Sequence, residues 1–155
     1  MRFALAAVFV LALSACDQGG PPPATSTATT PGPSAAELQA KVAALPAPYN
    51  TASYENGRTV FAPCRTCHTI NNGGINMVGP NLHGVIGRPI ASVAGYSYSP
   101  ALKAQSFNWD ADHLDKWLEG PMIDIPGTRM TFPGVHNDND RRDLIAFLTI
   151  ESQQP

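Results

Sequence analysis

Charge is what this chain has least of. Only 14% of its 155 residues are Asp, Glu, Lys or Arg, and they leave a net charge of -2 with a pI near 6.0. This balance gives no support for nucleic-acid binding through a basic surface. Cysteine is scarce as well: there are three, Cys16, Cys64 and Cys67. A structural zinc site would want two more ligands at a spacing matching the Cys64/Cys67 pair, and Cys16 stands far upstream, which argues against zinc. No run of β-branched residues precedes Cys64, so a thioredoxin-type redox pair, which follows a strand in a βαβ unit, has no context either. Long apolar runs are missing except at residues 3–13, and that run is too short to span a bilayer comfortably. The length leaves room for one ordinary domain plus extras.

What is present is Cys64-Arg65-Thr66-Cys67-His68, the C-x-x-C-H pattern of covalent c-type haem attachment. Two thiols three positions apart can each bond a vinyl group on one edge of the porphyrin. The adjoining histidine is then carried under the ring, where its imidazole meets the iron. One pentapeptide thus fixes both macrocycle and proximal ligand, and cofactor chemistry with one covalent haem c is the expectation.

Upstream, Arg2 and the apolar residues 3–13 read as a signal peptide over residues 1–15, ending in Leu13-Ser14-Ala15-Cys16. Those four residues resemble the lipobox of bacterial lipoproteins, a resemblance that makes Cys16 the acylated first residue of the mature protein. The odd thiol of an exported chain is thereby accounted for. More than one acyl chain would anchor it stably. Cleavage near Ala15 to give a soluble periplasmic protein is the alternative. Asp17 resembles a retention signal for the inner membrane, which implies a location on its periplasmic side. Residues 17–33 are almost entirely Gly, Pro, Ser, Thr and Ala, too poor in large apolar side chains to offset ordering entropy, so a disordered tether is expected. Fully extended it would reach on the order of 50 Å. A short helix is expected over residues 34–45, with Ser34 and Glu37 as a capping box and Leu38, Val42 and Leu45 on one side, read as a marginal linker element. Residues 16–50 are therefore assigned to anchor and tether, and residues 51–155 to the haem domain.

Within that domain Thr51 or Ser53 can cap a helix through Tyr54, Val60 and Phe61, with Gly57 as a notch for another helix. Asn137 and Asp140 suit the start of a final helix carrying Leu144, Ile145, Phe147 and Leu148. Leu114, Trp117 and Leu118 mark a third helix over residues 110–118. The rest is rich in Gly and Pro, which predicts an all-α fold with long loops and a core too thin alone, completed by wrapping around the haem.

Several stretches in order carry a closer likeness. They are the haem pentapeptide, Gly79-Pro80-Asn81-Leu82-His83-Gly84, Gly87-Arg88, Gly95-Tyr96-Ser97-Tyr98, Trp109, Pro126-Gly127-Thr128-Arg129-Met130 and Asp143-Leu144-Ile145-Ala146-Phe147-Leu148. From about residue 51 to 151 the chain resembles the class I cytochromes c, near the mitochondrial cytochrome c and bacterial cytochrome c2 group. The resemblance implies the class I fold, with terminal helices crossing, a third helix and long loops wrapped around one haem c. It places His68 and Met130 on the iron and Cys64 and Cys67 on the vinyl groups. The Pro80 carbonyl is implied as acceptor of the second imidazole N–H, and Arg88, Tyr98, Trp109 and Thr128 as partners of the propionates. The turn at Pro126-Gly127 can present Met130 edge-on. Met77 and Met122 are read as core gap-fillers, and His83, His113 and His136, in polar surroundings, as surface histidines.

Some positions depart from the family pattern. Trp117 and Leu102 stand where mitochondrial members carry a tyrosine and an asparagine beside the methionine sulfur. The ring of lysines around the haem edge is thin: Arg65 and Arg129 remain, while Pro63, Met122 and Ile123 occupy other sites. Steering toward an acidic partner should be weaker, and Met122 with Ile123 could form a small docking patch.

The resulting expectation is a membrane-anchored monohaem electron carrier of a respiratory or photosynthetic chain, monomeric and not an enzyme, with a positive potential from the Met/His pair. By resemblance a bc1-type quinol oxidase donates, and a terminal oxidase or photosynthetic reaction centre accepts. The alternatives are a peroxidase-like or gas-binding haem protein with an open iron site, and a haem subunit fixed in an oxidase complex.

Overall fold

The computed structural model describes residues 32–154. The expected signal peptide, Cys16 and the tether up to residue 31 lie outside the described residues. Six α-helices occur among the described residues: α1 (Ala35–Ala43), α2 (Tyr54–Val60), α3 (Pro100–Lys103), α4 (Ala111–Glu119), α5 (Pro121–Asp124) and α6 (Asp138–Glu151). The sole β pairing among them is an isolated bridge between Pro89 and Asn108. None of the described helices is long and apolar enough to cross a membrane.

Caps set the helix starts. Ser34 Oγ accepts from Glu37 N while the Glu37 carboxylate accepts from Ser34 N, the reciprocal box expected for α1. Ser53, Asp110 and Asn137 cap α2, α4 and α6 through side-chain oxygens that satisfy otherwise unpaired N–H groups. The four-residue helices α3 and α5 each begin with proline, whose missing N–H is harmless there.

The principal crossing is α2 on α6. A Cβ at Gly57 would lie 2.7 Å from Phe147 Cβ and 2.8 Å from the carbonyl carbon of Asp143, so only glycine lets the two backbones come this close. Around the crossing, the Phe147 ring packs against Tyr54 and Phe61 at centroid distances of 5.3 and 5.1 Å. Buried Asp143 is satisfied by Ser53 N at 3.1 Å, Asn56 Nδ2 at 3.0 Å and Arg142 at 3.1 Å. Buried Arg141 is held by Asp115 at 2.6 Å, Asp138 at 3.1 Å and the Val135 carbonyl at 2.9 Å.

Helix α1 is more than a linker element. Leu38 and Val42 are buried, and the helix packs on α2 and α6 within a compact unit that begins at Gly32 rather than at residue 51. Gln39 adds polar specificity: its Nε2 donates to Ala52 O and its Oε1 accepts from Tyr54 N, both at 2.9 Å. The apolar stripe visible in the sequence thus has a partner surface, and the amide fastens it to the start of α2.

Candidate functional site

The end of α2 delivers the haem pentapeptide. After Phe61 the chain tightens into a 3₁₀ turn, Ala62–Thr66, and both Cys67 N and His68 N bond back to Cys64 O at 3.1 and 3.0 Å. Cys64, Cys67 and His68 are therefore wound into one turn whose entry is fixed by a buried aromatic. Both thiols are free, and burial pushes that of Cys64 up to about 11.

His68 Nδ1 lies 2.7 Å from the carbonyl oxygen of Pro80. A carbonyl only accepts, so Nδ1 carries the proton and Nε2 keeps its lone pair. Burial lowers the imidazole pKa, with the Pro80 bond opposing, and the neutral ring is the form able to ligate a metal. Gly79 closes the other side: a Cβ there would fall on the His68 ring, 2.6 Å from Nδ1 and from Nε2. The backbone reinforces this through Gly79 N to Cys67 O at 2.8 Å.

A second group forms around Arg88. Its Nη1 donates to His83 O at 2.8 Å, and its backbone carbonyl accepts from Trp109 N at 2.9 Å. Gly87 N to Trp109 O at 2.7 Å completes the pairing next to the Pro89–Asn108 bridge. Trp109 is buried, edge-on to Phe107 and tilted against Trp117 at 5.6 Å. Tyr98 Oη accepts from Val93 N at 3.3 Å. The half-buried Arg88 guanidinium feels Tyr98 and has its pKa lowered by burial, with no ion-pair partner among the described residues. A desolvated cation without an anion suits an acidic group supplied from outside the chain.

The third group is the loop after α5. Met130 is half-buried against the core, and its N–H donates to Thr128 Oγ1 at 3.2 Å. Thr128 N is tied to Ile125 O at 3.1 Å, across a turn in which Gly127 has φ +90°. In the described structure Thr128 is thus bonded to the methionine loop, not to Arg88 or Tyr98. Trp117 and Leu102 are both buried, so the departures from the family pattern lie in the core rather than on the surface.

Two free thiols in one turn, a neutral imidazole with its outer nitrogen held, a thioether loop and an unneutralised arginine fit a haem c. They match, respectively, its vinyl groups, its two axial positions and a propionate.

Three sequence expectations are corrected. Met77 and Met122 fill no core: they are 43% and 59% exposed, Met77 in the loop closed by its N–H to Gly79 O and Met122 on the open side of the one-turn helix α5. His83 is not a solvated surface histidine, since its Nδ1 is sealed from solvent without a partner. His113 is held at 2.7 Å by Asp110 and stacked on Phe107 at 4.0 Å, while His136 is exposed. The sequence reading also missed Gln39 and the close approach to the His68 ring that only glycine at position 79 allows. For Gly79 the one available signal was its place before Pro80. For Gln39 there was none, because its partners are backbone atoms.

The family profile for cytochrome c matches residues 54–149. Cytochrome c of Kluyveromyces lactis is 42% identical over 105 residues, covering 67% of this chain and 96% of that protein. A cytochrome c homolog of Rickettsia bellii is 43% identical over 104 residues, 67% of this chain and 60% of that protein. Among solved structures, cytochrome cH from Methylobacterium extorquens superposes with a TM-score of 0.58 at 39% identity, covering 62% of this chain and 96% of that one.

Proposed function

Because the chain belongs to the cytochrome c family of electron carriers with one covalent haem c, we propose that it is a tethered member of that family. In this reading it carries single electrons from a bc1-type quinol oxidase to a terminal oxidase or photosynthetic reaction centre. It works on the periplasmic side of a bacterial inner membrane, anchored through acylated Cys16.

The haem iron, when bound, supplies the one-electron couple; everything else is positioning by the chain. Cys64 and Cys67 provide the thioethers. His68 would offer Nε2 to the iron, with Nδ1–H held by Pro80 so that the ring cannot rotate away, and Met130 would offer its thioether sulfur from a loop pinned by Thr128. Arg88, close enough to Tyr98 to feel its charge and joined to Trp109 through the backbone, would meet the propionate charge. Were both His68 and Met130 to bind the iron, no coordination site would be left for substrate, which would separate a carrier from a peroxidase-like or gas-binding protein.

The observation that carries the reading is the 2.7 Å contact between His68 Nδ1 and Pro80 O beside two free thiols. The test is the weak long-wavelength sulfur-to-iron absorption of the oxidised protein. It should be present in the parent and lost in Met130→Leu. Its absence from the parent, with carbon monoxide binding to the reduced form, overturns the carrier assignment. For the anchor, Cys16→Ser should release the protein from membranes, and unchanged retention would sink that part. Co-purification with an oxidase in fixed stoichiometry would replace the mobile carrier by a fixed subunit.

A further inference from the structure

One peptide unit beside the site is bonded at both ends. The carbonyl of Pro80 accepts from His68 Nδ1–H at 2.7 Å, and the N–H of the same peptide, that of Asn81, donates to Asn76 Oδ1 at 3.0 Å. Such a unit is planar with its C=O and N–H pointing opposite ways, so a bond at each end fixes its orientation. The two bonds also act on one another. Donation from the N–H makes the carbonyl oxygen at the other end more negative and strengthens the bond it accepts, by roughly 10–30% in a chain of hydrogen bonds.

The half-buried Asn76 amide can sit only one way round. Asn81 N–H can only donate and Ala94 O can only accept, and the latter receives Asn76 Nδ2 at 3.1 Å. Asn81 grips from the other side: its Oδ1 accepts from His83 N at 2.9 Å, and its Nδ2 donates to Thr69 Oγ1 at 2.6 Å and to Asn71 O at 3.1 Å. Thr69, next to His68, donates its own hydroxyl to Ile75 O at 2.7 Å. Each polar side-chain atom of Asn76, Asn81 and Thr69 thus has a partner, and the direction of each bond is determined. Gly74 closes over the group, since a Cβ there would stand 2.5 Å from Asn81 Nδ2 and 2.6 Å from Thr69 Oγ1.

The backbone around Asn76 has other ties. Tyr96 Oη donates to Val78 O at 2.7 Å, and Gly79 N to Cys67 O and Leu82 N to Thr69 O are both 2.8 Å. Losing the Asn76 side chain therefore leaves the loops joined. What it removes is the one acceptor for Asn81 N–H.

Resting on the carrier reading above, in which His68 Nε2 meets the iron, we infer that Asn76 is a positioning residue that sets the electron-donating strength of His68 through the Pro80–Asn81 peptide, and so tunes the redox equilibrium of the protein. A stronger pull on Nδ1–H leaves more negative charge on the imidazole, makes Nε2 the more basic ligand and favours ferric iron. Asn76 strengthens that pull. Its removal favours ferrous iron.

The experiment compares full-length, detergent-solubilised holoprotein carrying Asn76→Ala or Asn76→Asp with the parent. Aspartate keeps an oxygen for Asn81 N–H but cannot donate to Ala94 O, whereas alanine loses both bonds, so the two variants separate polarisation of the peptide from the tie between loops. Two quantities are read. One is the ferrous-to-ferric ratio at equilibrium with a mediator of fixed potential, in about 0.2 M salt to screen the added carboxylate. The other is deuterium exchange of His68 Nδ1–H in the ferrous protein, followed by NMR. Asn76→Ala should raise the ratio about threefold and speed the exchange about tenfold, while Asn76→Asp stays at the parental values or moves the opposite way. Asn76→Leu, which keeps the volume and none of the polar atoms, is run in parallel with the same expectation as alanine. Parental values in whichever of the alanine and leucine variants carries haem, or equal shifts in these and in Asn76→Asp, overturn the role of Asn76 and leave the carrier intact. A parent without the sulfur-to-iron absorption overturns the carrier reading instead, and the Nδ1–H exchange, which needs only His68 and Pro80, still decides for or against Asn76.

Discussion

A methyl group at position 79 would occupy the space of the His68 imidazole. The ring has no freedom to yield, because Nδ1 is held by Pro80 on one side and the pentapeptide turn fixes its backbone on the other. Gly79→Ala is therefore expected to destabilise the holoprotein by about 1–3 kcal/mol, as overpacking beside a fixed group does. It should also perturb the haem absorption, which a merely structural glycine elsewhere would not. Denaturant unfolding with a parallel spectrum checks both, and a variant with parental stability and spectrum would show that His68 is not clamped there. The same close fit explains what the sequence exposed at this scale. Cys64, Cys67 and His68 were legible because their chemistry depends on residue type and spacing. The Gly79 contact was not, because it consists of an absent side chain.

At the scale of elements, α2, α4 and α6 were legible from helical periodicity and polar starts, although Ser53 was one of two candidates with Thr51, Asn137 was named together with Asp140, and Asp110 stood only at the start of the third helix without being read as its cap. Helix α1 was legible as a helix but not as part of the domain: Leu38 and Val42 define an apolar stripe without saying what it meets. The short α3 and α5, one turn each, leave too little pattern to read. Gln39→Ala tests the docking of α1, since it leaves the buried Ala52 carbonyl and the Tyr54 N–H without their bonds. The expected loss is about 1–3 kcal/mol in denaturant unfolding with an unchanged haem spectrum, and a loss near zero would mean α1 is not fastened to the domain. Helix α4 gives a pH-dependent case. Its cap Asp110 has a pKa lowered by bonds from the His113 backbone and side chain, so the fold favours the charged carboxylate. That contribution is full above the unfolded pKa and is lost as pH falls through the folded one. Asp110→Ala should cost about 1 kcal/mol at neutral pH. The difference from the parent should shrink below pH about 4. A difference independent of pH down to acid would remove the charge from the explanation.

For the molecule as a whole, the sequence predicted a core completed by the cofactor, and the distribution of burial bears on why. The α2–α6 crossing, with Tyr54, Phe61, Leu144 and Phe147, is fully buried by protein alone. The side chains around the site are not: Ile70, Leu82, Val93, Phe107 and Met130 pack against the core but remain only partly buried. Arg88 adds a half-buried charge without an anion. Haem bound beside them would supply the burial and neutralisation these groups lack, and a ligand that binds only the folded state stabilises it in proportion. Covalent attachment keeps that stabilisation from being diluted away. Cys64→Ala/Cys67→Ala is therefore expected to lose far more stability than two small, partly buried thiols contribute by packing, on the order of several kcal/mol for the apolar surface left uncovered. The two ends of the domain should respond differently. Far-UV circular dichroism should retain part of the helix signal, from α2 packed on α6, while near-UV signals from Trp109 and Trp117, beside the site, should largely disappear. A double variant that melts cooperatively within a few degrees of the holoprotein, with its tryptophan environment intact, would show that the loops fold without the cofactor they are built around.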